Sequence, residues 1–249
     1  MTREAWLANH PYLQPVADVQ AVVDTAAAEI SLARADIPNW DDYVSDFHAG
    51  VPLLESPAVG IELSECANGV RSLIRRLASQ PLPGTLSEEC RALEAELPRP
   101  GLFRYLRCTV LARYLSPVVG AFATWRDEER WLRNYCPTCG EPPAMGQLVG
   151  KDPGRLRFLS CGCCRTRWRY RRTCCPFCDS QNEHRLSVVA IEGEAGLRID
   201  YCGACRGYLK TYSGEGNEHV LLADWTSLHL DMLARDRGLK RCAASLYEL

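Results

Sequence analysis

Four pairs of cysteines, each pair separated by two residues, constrain this chain more than any other feature: Cys136/Cys139, Cys161/Cys164, Cys175/Cys178 and Cys202/Cys205. Two thiolates at that spacing reach one ion from a single tight turn, and Gly140, just past the first pair, supplies the positive φ such a turn needs. The pairs combine into two units, C-x2-C-x21-C-x2-C and C-x2-C-x23-C-x2-C, whose first cysteines stand 39 residues apart. Within the first unit, Gln147–Val149, a turn at Lys151–Gly154 and Arg155–Phe158 read as a hairpin leading into Cys161. Leu186–Ile191, a turn at Glu192–Gly196 and Leu197–Tyr201 repeat the plan in the second. The exits match as well: Cys164-Arg165 leads to Trp168 and Tyr170, and Cys205-Arg206 leads to Tyr208 and Tyr212.

Each unit is therefore expected to be a zinc-ribbon or rubredoxin-like module closing four thiolates around one ion. Cys136, Cys139, Cys161 and Cys164 form the first set; Cys175, Cys178, Cys202 and Cys205 form the second. Sulfur-only tetrahedral sites suit zinc and iron alike, so the expected cofactors are two metal ions per chain, iron or zinc. Four protein ligands leave no open position for water, which argues against metal-assisted hydrolysis. Structural metal is the favoured reading, a redox-active iron centre stays open, and a disulfide framework comes last, because 249 residues need no such staples.

The residues before the knuckles read as helical. Val16, Val19, Val23, Ala26 and Ile30 make one apolar stripe, and Leu63, Ala67, Val70, Ile74 and Leu77 a second. A third helix opens at Thr85, with Glu88 completing a capping box and Leu86, Cys90, Leu93 and Leu97 on one face. A fourth covers about residues 101–115, and Pro117 interrupts it before a further helix that ends near Arg133. Near the C-terminus, Asp224 caps a last helix whose apolar face is Trp225, Leu228, Met232 and Leu233, with Gly238 ending it. The expected fold class is α+β, in three parts. Residues 1–133 form a helical domain and 134–180 the first metal ribbon; 181–249 hold the rest of the second ribbon, which takes Cys175 and Cys178 as its first knuckle, and the C-terminal helix. The N-terminus lacks a secretory pattern and no apolar run approaches the ~20 residues of a membrane span, so a cytoplasmic protein without membrane insertion is expected.

Charge divides along the same lines. Residues 1–133 carry 13 basic against 18 acidic side chains, and 134–213 carry 12 against 7. Two tetrathiolate centres add about −4 to that local +5, which weakens a nucleic-acid role. Arg165, Arg167, Arg169 and Arg171 alternate along an expected strand, with Trp168 and Tyr170 on the other face. The arginine row reads first as a solvated sheet edge and second as a contact surface for a protein partner. Cys66, Cys90 and Cys108 read as small core side chains, and Cys163 and Cys174 as bystanders beside ligands. The histidines (His10, His48, His184, His219, His229) show no paired spacing and read as core or surface residues.

With four knuckles after a helical half, and with Cys202-Gly-Ala-Cys205-Arg-Gly-Tyr-Leu-Lys210 and Asp224-Trp-Thr-Ser-Leu-His-Leu-Asp231, the chain resembles the formate dehydrogenase accessory protein family, FdhE. The resemblance is specific from about residue 134 to 241. It implies a helical domain followed by two rubredoxin-like modules, with the eight knuckle cysteines as ligands and Tyr208-Leu209-Lys210 as the strand leaving the last knuckle. It further implies a cytoplasmic, non-catalytic assembly factor that contacts the catalytic subunit of respiratory formate dehydrogenase before export, with iron associated with its metal sites. The other reading is a zinc-ribbon regulator that binds nucleic acid.

Overall fold

The apolar stripes of the N-terminal half become helices packed on one another. The computed structural model describes residues 1–82, 86–95, 100–194, 196–243 and 245. Its helices before the knuckles are α1 (Arg3–Asn9), α2 (Gln14–Glu29), α3 (Trp40–Ala49), α4 (Ser64–Ala78), α5 (Leu86–Glu94), α6 (Pro100–Tyr114) and α7 (Ser116–Trp125). The sequence reading missed α1 and α3, both short. Local chemistry nonetheless defines α3: the Asn39 side chain accepts from Asp41 N, and Gly50 at φ 83° ends it. In α4 the buried face is rotated from the expected stripe: Cys66, Val70, Leu73, Ile74 and Leu77 are buried, while Leu63 is exposed. The expected cap at Thr85, and Leu97, lie outside the described residues.

The last of these helices stops at Trp125 rather than near Arg133. Arg126 leaves it in extended conformation, and Asp127 accepts from Glu129 N at 2.9 Å, a side-chain turn that competes with helix. The ensuing loop buries Trp131, whose indole donates to Tyr135 O at 3.0 Å just ahead of the first knuckle.

The strands are β1 (Pro143–Val149), β2 (Leu156–Cys161), β3 (Arg167–Tyr170), β4 (Leu186–Ala190), β5 (Leu197–Cys202), β6 (Gly207–Ser213) and β7 (Lys240–Arg241). Both expected hairpins are present: β1 pairs antiparallel with β2, and β4 with β5. The two ribbons are not separate beads, however. They join into one seven-stranded sheet in the order β3-β2-β1-β6-β5-β4, with β7 added beside β6. The junction is a parallel pairing of β1 with β6, from Met145 opposite Lys210 to Leu148 opposite Ser213.

Gly146 makes this junction possible. It pairs with Thr211, and a Cβ at this position would lie 2.8 Å from both Leu209 Cδ2 and Thr211 Oγ1. We expect Gly146→Ala to cost about 1–3 kcal/mol, the usual penalty for overpacking. Denaturant unfolding measures it; a variant as stable as the parent would mean the strands separate easily here.

Between β6 and β7 come α8 (Glu218–Leu221) and α9 (Leu228–Asp236). Asp224 makes no side-chain cap; its carboxylate is taken by Lys210 and Arg241 instead. On α9, Leu228, Leu230 and Ala234 face inward, whereas Met232, expected on that face, is half exposed. Gly238 ends the segment at φ 64°, as expected. Two cores result. One joins α2–α7 with Leu159, Trp168 and Tyr170 of the first ribbon. The other joins Trp6, Leu13 and Ala17 with Ile199, Tyr208 and Trp225, so the chain's first helix packs on its last segments. No helix among the described residues is long and apolar enough to cross a membrane.

Candidate metal centres

The eight knuckle cysteines gather as two groups of four, each with its sulfurs within 4.8 Å of one another: Cys136, Cys139, Cys161 and Cys164, then Cys175, Cys178, Cys202 and Cys205. A tetrahedral site with metal–sulfur bonds of ~2.3 Å has sulfur–sulfur edges of about 3.8 Å. Here Cys136–Cys164 and Cys139–Cys161 are 3.4 and 3.5 Å apart, and Cys175–Cys205 and Cys178–Cys202 are 3.7 and 3.9 Å. Both groups are able to hold a metal ion of that kind. Burial pushes the Cys136 and Cys175 thiols well above their ordinary range, so a cation beside them is what would let these two ionise.

The backbone of each knuckle follows one pattern. An amide two residues past a cysteine points at its sulfur: Thr138 N to Cys136 Sγ at 3.4 Å, Cys163 N to Cys161 Sγ at 3.3 Å, Phe177 N to Cys175 Sγ at 3.4 Å, Gly207 N to Cys205 Sγ at 3.4 Å. The residue after the second cysteine of every knuckle has positive φ: Gly140, Arg165, Asp179 and Arg206. Only the first is glycine. Each of the other three accepts roughly 1–2 kcal/mol of backbone strain, which closing the knuckle around an ion can offset.

We expect elemental analysis of freshly purified, reduced protein to find two zinc or iron ions per chain. A content near zero would remove the metal reading, and a single ion would break the duplication.

The groups are embedded differently. The first knuckle is stitched to the helical half by Leu53 N donating to Pro137 O and Leu54 N to Thr138 O, both at 2.9 Å, and by Tyr135 OH donating to Gly50 O at 2.8 Å. Cys136, Cys161 and Cys164 are buried; in the second group Cys175 and Cys202 are buried, while Cys178 is exposed and Cys205 half-buried. Of the remaining thiols, Cys66, Cys90 and Cys108 are buried in the first core as expected, as are Cys163 and Cys174.

The two motifs after the ribbons meet in one ionic cluster. Lys210 Nζ, buried, donates to Asp224 Oδ1 at 2.6 Å and to Asp231 Oδ2 at 2.7 Å; Arg241 reaches both carboxylates at 2.6 Å; Tyr208 OH donates to Asp231 Oδ1 at 2.7 Å. Two cations thus face two anions, tying the strand that leaves the last knuckle to the C-terminal helices.

The arginine row divides. Arg167 and Arg169 lie in β3, at the sheet edge, with Trp168 and Tyr170 buried beneath, whereas Arg165 and Arg171 flank the strand. Arg169 pairs with Glu129, Arg171 with Asp179 at 3.1 Å, and Arg167 lies over the Phe158 ring at 4.0 Å. Arg165 and Arg167 also line a cleft of about 480 Å³ between the helical half, the first ribbon and the C-terminal segment, with Tyr105, Ser160, Glu218 and Trp225 on its walls.

One cluster had no signature in the sequence. His10 Nε2 and His229 Nε2 both approach Glu194 Oε1, at 3.1 and 2.9 Å, joining three elements distant along the chain. Burial holds the His229 imidazole below its usual pKa.

Residues 135–172, which contain the first group of four cysteines, match the family model of the FdhE central domain. An FdhE homologue of Pseudomonas aeruginosa is 40% identical over 120 residues, covering 44% of this chain and 38% of its own length. One from Aquifex aeolicus is 32% identical over 133 residues, covering 51% of this chain and 47% of its own length. The chain thus spans less than half the length of these relatives. The crystal structure of the FdhE protein from Pseudomonas aeruginosa matches with a TM-score of 0.57, covering 94% of this chain and 86% of that one at 21% identity, a likeness of fold. The chain resembles FdhE proteins both in the sequence of its central segment and in architecture.

Proposed function

We propose that this chain is an accessory factor for formate dehydrogenase, one that binds the catalytic subunit in the cytoplasm during maturation, before export, and turns over no substrate of its own. The observation that carries the reading is the coincidence of the FdhE central-domain match with a closed group of four cysteines at residues 135–172. Closed tetrathiolate centres suit a rigid docking body, since no coordination position is left for a substrate. The metals are iron or zinc, and the ions bring the ribbon region close to neutrality, which favours a protein partner over nucleic acid.

The partner contact involves the arginine row, and the internal pairing of Arg169 and Arg171 narrows it to Arg165 and Arg167 at the cleft. A maturing subunit that offers acidic groups would meet Arg165 and Arg167 there, beside the carboxylates of Asp24, Glu218 and Asp224 that also line the cleft. Reversing both arginines to Glu is expected to slow association in a salt-sensitive way while leaving both metals bound, because rim charges set encounter rate more than final affinity.

Co-purification with a tagged catalytic subunit of formate dehydrogenase tests the role itself. Deletion of the gene should lower formate dehydrogenase activity and leave its transcript unchanged. No capture of the subunit, together with a transcript loss and duplex-DNA binding that falls steeply with salt, would replace this reading with the nucleic-acid-binding regulator.

A further inference from the structure

When the two units are aligned on their knuckles, they differ in kind at the positions two residues past the first and the last ligand. In the first unit Thr138 and Thr166 each stand two residues past a ligand. Both are buried, their hydroxyls bond at 2.7 Å, and Thr166 Oγ1 lies 3.1 Å from Cys164 Sγ, which seals that side of the centre. The equivalents in the second unit are Phe177 and Gly207. A Cβ on Gly207 would meet Phe177 Cδ2 at 2.8 Å, Cys242 Sγ at 3.2 Å and Cys205 Sγ at 3.3 Å. Glycine therefore keeps open a gap between two sulfurs that lie within 6.5 Å of each other. Cys242 is held there by β7, which runs parallel to β6 with Lys240 opposite Gly207 and Lys240 N donating to Arg206 O at 2.8 Å. Exposure follows the same division: Cys242 and Cys178 are open to solvent and Cys205 half-buried, whereas three of the four sulfurs in the first group are buried.

We propose that Cys242 is a fifth thiolate ligand of the second centre, replacing an outer cysteine while a thiophilic divalent cation, zinc or ferrous iron, arrives or leaves. The second centre thereby exchanges its ion and the first retains its own. A closed tetrathiolate can lose its ion only by breaking metal–sulfur bonds, and a bond broken without replacement leaves the ion short of charge and ligands. An incoming thiolate removes that penalty. As the Cys242–metal bond forms, the bond to Cys178 or Cys205 breaks; the Cys242 proton passes through solvent to the displaced sulfur, and no oxidation state changes. The inference rests on the two groups of four cysteines and is independent of the accessory role.

The test uses the full chain loaded with two zinc ions and mixed with excess 4-(2-pyridylazo)resorcinol, with zinc release followed by absorbance. Two phases of one ion each are expected. Cys242→Ser should slow the faster phase about tenfold, the scale on which groups outside the ligand set affect metal binding, and leave the slower phase and the two-ion total unchanged. A single phase carrying both ions, or identical traces for parent and variant, overturns the proposal. A fall to one ion in the variant also overturns it, since Cys242 would then be a resident ligand.

Discussion

Replacing Cys175 and Cys178 together by alanine is expected to unfold considerably more than the ribbon they serve. Metal binding in such modules contributes ~10–16 kcal/mol of apparent free energy, more than a few tens of residues can supply from a core of their own. The second ribbon owns β6, which lies between β1 and β5 in the sheet. Its side chains also cover Trp6, whose indole donates to Thr226 O at 3.2 Å. Loss of the second ion should therefore strip α1 from the body and leave β1 as a free edge, while α3–α7 keep the first knuckle through Leu53 and Leu54. Hydrogen exchange is the appropriate measurement: protection should vanish in β4–β6, α9 and α1, fall in β1 and persist in α4 and α6. Parent-like protection in α1 and β6 would show that the metal is not structural.

Lys210→Met is expected to be the most damaging single substitution outside the cysteines. It leaves Asp231 buried and Asp224 partly buried with Arg241 the one cation beside them among the described residues, and an unpaired buried charge costs ~3–5 kcal/mol. Chemical denaturation of the variant measures this, and a loss below ~1 kcal/mol would show that water already reaches the cluster. Acid has a related effect. Burial pushes the Asp224 carboxyl up, but Lys210 and Arg241 beside it hold it well below the usual carboxylate range. A carboxyl depressed on folding contributes stability that is present above its unfolded pKa of about 3.9 and is lost as pH falls toward the folded value. The parent should lose stability below about pH 4 for this reason. In Lys210→Met the Asp224 carboxyl is less depressed, so the part of stability lost on acidification below about pH 4 should shrink.

What could be read from the amino acids follows from the range of the forces involved. Cysteine groups and hairpins are local: two residues between sulfurs and a turn of four or five residues already determine the knuckle and the strand pair, and the two groupings and both strand pairs appear as expected. The arginine alternation was sound over Arg167–Tyr170, where a period of two holds, and failed at Arg165, which the knuckle bends into positive φ. Asp224 looked like a cap because helix propensity is read locally, yet two cations from β6 and β7 compete for it more strongly than an amide does. The parallel pairing of β1 with β6 left no trace because Met145 and Lys210 are 65 residues apart and neither strand differs from one that would pair elsewhere. Cys242 and the His10–Glu194–His229 cluster escaped for the same reason, each being a product of tertiary placement alone.

That parallel pairing also sets an order of events during synthesis. The first ribbon can bind its ion and form β1–β2–β3 as soon as Tyr170 has emerged, but β1 then waits with one edge unpaired until Ser213 is made. Long-range parallel pairing is slow to form, and an exposed strand edge invites pairing with other chains. With an ion in the first group, the nascent protein would pass through a stage in which its first ribbon is folded yet the β1 edge is adhesive. Supply of the second ion, by completing β4–β6, ends that stage. A chain that fills the first group but not the second would be expected to accumulate as aggregates rather than as half-folded monomers.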